Sequence, residues 1–307
     1  MNLLKKTITV FIVAVLLMLS VSTGFAETIY YYNGYFYSYI NNDTVALKGW
    51  EKDQTSLAIP DTLNNRAVIT IPDRAFYADS DITGIDFSNA HHLQNIGIYA
   101  FAYCFSLSGK LVFPENVTFI GDSAFANCVS VSEVVIQSDL ENISLQSFDH
   151  CESLNRVELN GAVQKIDDYA FANCPELEYV FIPSSVTEIS PTAFDNDTNL
   201  EIYGFADSYA QTYAQEHNIP FVEMVRFMLG DVDGKDGVNI NDVTAIQSHL
   251  AELQTLENVF LLAADANQDD IVDISDATAI QMILAEYDLP YPIGQYVTKE
   301  VVTQENN

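Results

Sequence analysis

Apolar residues return along residues 28–224 at intervals far longer than the repeat of a single strand or helix. Six phenylalanines mark the rhythm, Phe76, Phe101, Phe125, Phe148, Phe171 and Phe194, in steps of 25, 24, 23, 23 and 23. An isoleucine stands five residues before each: Ile71, Ile96, Ile120, Ile143, Ile166 and Ile189. Eight before stand Val68, Leu93, Val117, Leu140, Val163 and Val186, and six after stand Ile82, Leu107, Val131, Leu154, Leu177 and Leu200. Four apolar columns filled in every unit, at a period in the twenties, predict a solenoid whose units bury their apolar faces only by stacking.

Each unit also carries one short β-branched run, such as Val134-Val135-Ile136, Val157-Glu158-Leu159 or Val180-Phe181-Ile182. Period-2 alternation turns Val134 and Ile136 inward and Val135 outward. Proline closes two of these strands, at Pro114 and Pro183. The expected outward column is Glu133, Val135, Arg156, Glu158, Tyr179 and Phe181, a candidate face for a protein or carbohydrate ligand. The runs "AFANC" at 124–128 and 170–174 and the closing "YAQTYAQEHNIPFV" at 209–222 resemble the BspA-like bacterial leucine-rich repeats. That resemblance implies a curved sheet of short parallel strands over 27–224, with a tyrosine-rich N-terminal cap at 28–56.

The cysteines follow the same rhythm. Cys104, Cys128, Cys151 and Cys174 each lie three residues after a repeat phenylalanine, and Asp79 and Asp197 hold that position in the outer units. Thiols inside the stack with a polar residue at either end fit a buried column of free cysteines, since cysteine packs as a small hydrophobe. Neighbouring strands about 4.8 Å apart leave disulfides geometrically open.

A different pattern begins after residue 225. Asp231 to Leu250, "DVDGKDGVNINDVTAIQSHL", reappears 34 residues later as Asp265 to Leu284, "DANQDDIVDISDATAIQMIL". Each half is an acidic loop followed by a helical pattern. Calcium takes about six to eight oxygens, and a loop of about twelve residues supplies them from positions 1, 3, 5, 7, 9 and 12. In the second loop these are Asp265, Asn267, Asp269, the carbonyl of Ile271, Asp273 and Asp276. In the first, Asp231, Asp233, Asn239 and Asp242 fall in place, but Lys235 stands at position 5. Asp236, a water or a backbone carbonyl must then substitute, and the turn glycine has moved to Gly237. Two calcium ions are expected, the first loop binding more weakly.

Loop, helix, connector, loop, helix, with Asp at position 12 and no helix before the first loop, is similar to type I dockerins. The resemblance covers 229–290. It implies a small all-α calcium-loop module at 225–290 that plugs into a cohesin on a scaffoldin. Carried over, the cohesin contacts are Ile240, Asn241, Gln247 and Ser248 in one half and Ile274, Ser275, Gln281 and Met282 in the other. Residues 291–307 remain as a tail, whose stretch 288–297 either packs back on Phe227 or stays a plain polar extension.

Composition narrows the partners. Against 43 Asp and Glu stand 12 Lys and Arg, which excludes non-specific nucleic-acid binding and favours cations. Lys5 and Lys6, the apolar run Ile8–Leu19 and the small-residue exit Gly24-Phe25-Ala26 read as a signal peptide over 1–26, with a membrane anchor as the alternative. Catalytic patterns do not emerge: His91, His92, His150, His217 and His249 form no HExxH, and no GxSxG or phosphate loop is present. The expectation is a secreted, non-catalytic interaction protein on a cellulosome-like scaffold for polysaccharide degradation. Its alternatives are a surface adhesin and an accessory enzyme or enzyme inhibitor of such a complex.

Overall fold

The computed structural model describes residues 27–52 and 55–300. The expected signal peptide lies outside the described residues. Among those described, no helix is long and apolar enough to cross a membrane.

Every residue of the four apolar columns is buried, from Val68 and Ile71 to Leu200. The six phenylalanine rings stack one on the next, with centroids 4.9–5.6 Å apart and planes within 6–12° of parallel. Because each unit sits one strand spacing from its neighbour, a side chain's nearest neighbour is the same position in the next unit.

Two strand ladders run along the array. The longer strands, 108–113, 130–136, 156–159, 179–182, 201–205 and 221–228, pair in parallel, and 296–300 closes that sheet antiparallel to 221–228. A second strand of only two residues ends on the isoleucine column, at 95–96, 119–120, 142–143, 165–166 and 188–189. Sequence reasoning expected one strand per unit; two residues are too short to show an alternation.

The turn around each phenylalanine is built without glycine. At the first five the residues two before and two after adopt left-handed backbone, as at Tyr99 (φ 55°) and Tyr103 (φ 63°) or Ser123 (φ 53°) and Asn127 (φ 61°), whereas around Phe194 only Asn196 (φ 71°) does. Between units the phenylalanine N–H donates to the carbonyl just before the next phenylalanine, for instance Phe101 to Ala124 and Phe148 to Ala170, both 2.8 Å. These bonds repay part of the cost of the left-handed residues.

The cysteines are free and buried. Each thiol donates to the carbonyl of the phenylalanine one unit back: Cys104 to Phe76, Cys128 to Phe101, Cys151 to Phe125 and Cys174 to Phe148, at 3.1–3.4 Å. Burial pushes the Cys104 thiol up to about 12 and the other three well above the usual thiol range. The column ends in acids, in two different settings. Asp79 accepts from Lys52 Nζ at 2.8 Å and Trp50 Nε1 at 3.3 Å. Asp197 accepts from the Cys174 N–H at 2.7 Å, while its Oδ2 is buried with no hydrogen-bond partner among the described residues. Burial, with Asp149 and Asp195 nearby, pushes its carboxyl up to about 8.

An antiparallel run, 30–32, 35–39 and 44–50, closes the N-terminal end, with 44–50 lying parallel to 66–71. Helix Tyr209–His217 closes the other, capped by Ser208 and ended by left-handed Asn218, with Ala210, Tyr213 and Ala214 buried. The strand that follows, Phe221–Met228, runs across the expected 224/225 module boundary. The second unit is therefore not purely helical. Helices Ile240–Leu250, Asn258–Ala264 and Ile274–Leu284 share an apolar core with Phe227, Leu229 and Ile293. The tail pairs back, Phe227 opposite Val297, and Gly294 N–H donates to the Leu229 carbonyl at 2.8 Å.

Two measurements test the cysteine column. Titration of the unfolded, unreduced chain should count four thiols and the native chain should react slowly at pH 8; a count of zero would mean that they had paired. Asp197→Asn keeps the acceptor for Cys174 N–H and removes the charge. The folded-state value of about 8 lies above the ordinary 3.8, so the contribution of Asp197 to stability is complete below about pH 4 and is lost as the pH rises to about 8. The variant should melt roughly 2–4 °C higher at pH 8, the shift about 1 kcal/mol gives at this size, and unchanged at pH 4.

Candidate functional site

The two acidic loops fold alike. Each ends in a capping box: Asn239 Oδ1 accepts from Asn241 N–H at 2.8 Å and Asp273 Oδ1 from Ser275 N–H at 2.6 Å. The acid three residues on reaches back. Asp242 accepts from Val232, Asp233 and Asn239 N–H groups at 2.7–3.1 Å, and Asp276 from Asn267 and Asp273 at 3.1 and 2.9 Å. Both carboxylates are fully buried. Burial raises each above the usual carboxylate range despite these N–H donors, helped by neighbouring acids.

In the first loop Asp231, Asp233 and Asp242 each bring an oxygen within 4.8 Å of the other two. Lys235 enters only through its backbone, its N–H donating to Asp231 at 3.1 Å and Asp233 at 2.9 Å. Asp236, expected as a substitute ligand, is exposed and stands outside this group. It adopts the left-handed backbone (φ 59°) that glycine usually supplies at position 6, as Asp270 (φ 65°) does in the second loop. The carbonyl of Gly237 lies on the Asn239 amide side, 2.8 Å from Nδ2, so Asn239 acts here as helix cap and loop brace.

In the second loop Asp265 is buried and accepts from Asp269 N–H at 3.0 Å and Asp270 N–H at 3.2 Å. Asn267 Nδ2 donates to Asp269 at 3.0 Å and to Ser275 Oγ at 2.9 Å. Asp273 and Ile271 stand exposed beside them. The donor sets of both loops are carboxylate, carboxamide and carbonyl oxygen, which suits a hard divalent cation.

Most residues expected to meet a partner lie on the outer side of the paired helices. Ile240 and Ile274 are each 59% exposed. Asn241, Gln247, Ser275 and Gln281 are exposed, while Ser248 and Met282 are half-buried. Ser248 Oγ is turned onto its own helix, donating to the Thr244 carbonyl at 2.7 Å. Leu253, 82% exposed, was missed because it falls in the connector, outside the helical repeat.

The repeat-strand residues share one face. Parallel register sets Lys110, Glu133, Arg156, Tyr179 and Glu201 in one row and Val112, Val135, Glu158, Phe181 and Tyr203 in the next. Arg156 lies over the Tyr179 ring at 3.5 Å and bonds Glu158 at 2.9 Å. Burial would raise the Glu158 carboxyl, but the Arg156 and Asn160 hydrogen bonds prevail and hold it low. Tyr179 packs on Tyr203 at 4.1 Å and Phe181 on Phe205 at 5.8 Å. Val135 corrects an expectation: it is only 5% exposed. It lies mid-sheet between Val112 and Glu158, just past a register shift between Val131 and Glu133. Lys110, Tyr203 and Phe205 were missed, although the same repeat spacing leads to them.

The model of the BspA type leucine rich repeat region matches residues 69–201, in six copies. That segment is a leucine-rich repeat array. Among solved structures, the leucine rich repeat protein TpLRR of T. pallidum is 20% identical, over 54% of this chain and 67% of its own, with a TM-score of 0.37. A leucine-rich repeat protein from Eubacterium ventriosum is 23% identical over 59% of this chain and 45% of its own, TM-score 0.36. A leucine rich cell surface protein from Faecalibacterium prausnitzii is 17% identical over 59% and 77%, TM-score 0.23. No curated protein matches the chain.

The loop geometry ranks two substitutions. Asp276→Ala strands the Asn267 and Asp273 N–H groups and removes half a capping box, a cost of roughly 1–3 kcal/mol. Asp236→Ala removes an exposed carboxylate and should cost about 0.5 kcal/mol or less. Thermal melts of the full chain should show that order in calcium and in chelator alike.

Proposed function

We propose that this is a secreted, non-catalytic interaction protein that docks through its two calcium-binding loops onto a cohesin of a cellulosome-like scaffold. Its leucine-rich repeat face is then free to hold a protein or carbohydrate ligand. The observation that carries the reading is the duplication of one loop–helix design. Each half has a fully buried acid bracing its loop, a capping box, and an equally exposed isoleucine at the helix start.

Calcium would be held by Asp231, Asp233, Asp242 and loop carbonyls in one half, and by Asp265, Asn267, Asp269, Asp276 and the Ile271 carbonyl in the other. The metal supplies the positive charge these acids share. The first loop has fewer side-chain ligands, because Lys235 replaces an acid. With the loops fixed, Ile240 and Ile274 are presented on rigid helix starts, which lowers the ordering cost of docking.

Capture of the full chain on an immobilised cohesin tests the assignment. Binding is expected in calcium and lost in chelator. Replacing Ile274 and Ser275 should weaken it in part, and replacing Ile240 and Asn241 as well should abolish it. Binding that survives the fourfold change, or persists in chelator, removes the cohesin assignment.

A further inference from the structure

Strand Tyr296–Glu300 carries one cation into the second acidic loop. Lys299, opposite Val225 in the sheet, places Nζ 3.4 Å from Asp265 Oδ2 and 3.8 Å from Asp270 Oδ1. The contact is partly shielded: the Asp265 side chain is 7% exposed and that of Lys299 29%. Asp265 is position 1 of its loop. Its counterpart Asp231 has no such neighbour among the described residues, and accepts there from the Lys235 backbone N–H.

We infer that Lys299 sets the calcium affinity of the second loop, as a tethered ammonium that shares Asp265 with the metal. The inference rests on the calcium reading above. A divalent ion drawing on one Asp265 oxygen meets a fixed positive charge on the other, and at a part-buried site that repulsion is only partly screened. Calcium must therefore bind against Lys299 or displace it. Displacement loosens the strand that carries it, and by linkage anything that holds the strand in place opposes calcium by the same factor. The more regular of the two loops thus carries a brake that the first loop lacks.

The experiment is a calorimetric calcium titration of the full chain in an Asp231→Ala background, which leaves the second loop to be read alone. Lys299→Met should tighten binding by about three- to thirtyfold, the range expected for one charge at a partly exposed site. Lys299→Arg, which keeps the charge, should stay within about twofold. Hydrogen exchange supplies a second readout: calcium should speed exchange of the amides at 296–300 in the parent and not in Lys299→Met. Equal affinity in the parent and the methionine variant, with calcium still bound, overturns the inference alone. Weaker binding in Lys299→Met overturns it too, by making the lysine a support of the loop. No calcium uptake in any variant removes the calcium reading and this inference together.

Discussion

The short step between stacked units governs the repeat array. At about 5 Å per unit, a side chain's nearest neighbour is its own copy one unit away. Columns therefore have to be self-compatible: phenylalanine stacks flat on phenylalanine, isoleucine packs on isoleucine, and a thiol donates to the carbonyl beneath it. A charge inside such a column would meet its own repetition, so acids appear only where the column stops. The two stops are not equal. Asp79 has Lys52 and Trp50 to bond, whereas Asp197 is left with a buried oxygen that nothing described satisfies.

The columns made the array legible before any coordinates. A period filled in every unit identifies the buried residues, because only a stack makes position 76 and position 194 neighbours in kind. Three features were hidden. The two-residue second strand ends on Ile96 or Ile166 with too little length to alternate. The left-handed turns use Tyr99, Ser123 or His150 where a reader looks for glycine. Val135 obeys the outward parity and is nevertheless buried, since parity assigns a face and says nothing about how crowded that face is.

In the loop module, the spacing of oxygens was legible from the acids, and the exposure of Ile240 and Ile274 followed from their place at a capped helix start. Two placements were not. Asp236 lies near position 5 in sequence, but the left-handed turn at position 6 carries it to solvent. Lys299 is separated from Asp265 by 34 residues and joins it only through strand pairing. Sequence distance conceals such a contact because nothing local in the tail advertises its partner. The same pairing joins the two modules through Phe221–Met228, so a cut at 224/225 would divide a strand rather than a linker.

That shared strand also orders the assembly of the chain. Contacts between neighbouring repeat units span roughly one repeat, from 22 residues (Tyr179 to Glu201) to 28 (Cys104 to Phe76), and each unit can dock as it emerges. Met224, by contrast, pairs with Glu300, across the whole loop module. Until that distant partner arrives, Phe221–Met228 presents an open, largely apolar edge, the kind of template on which another chain can add a strand. Closure over such a separation is slow compared with local stacking. A folded loop module brings the two strands together and shortens the search. Pairing with Tyr296–Glu300 thus covers the last edge of the repeat sheet, a protection that depends on residues lying beyond the loop module.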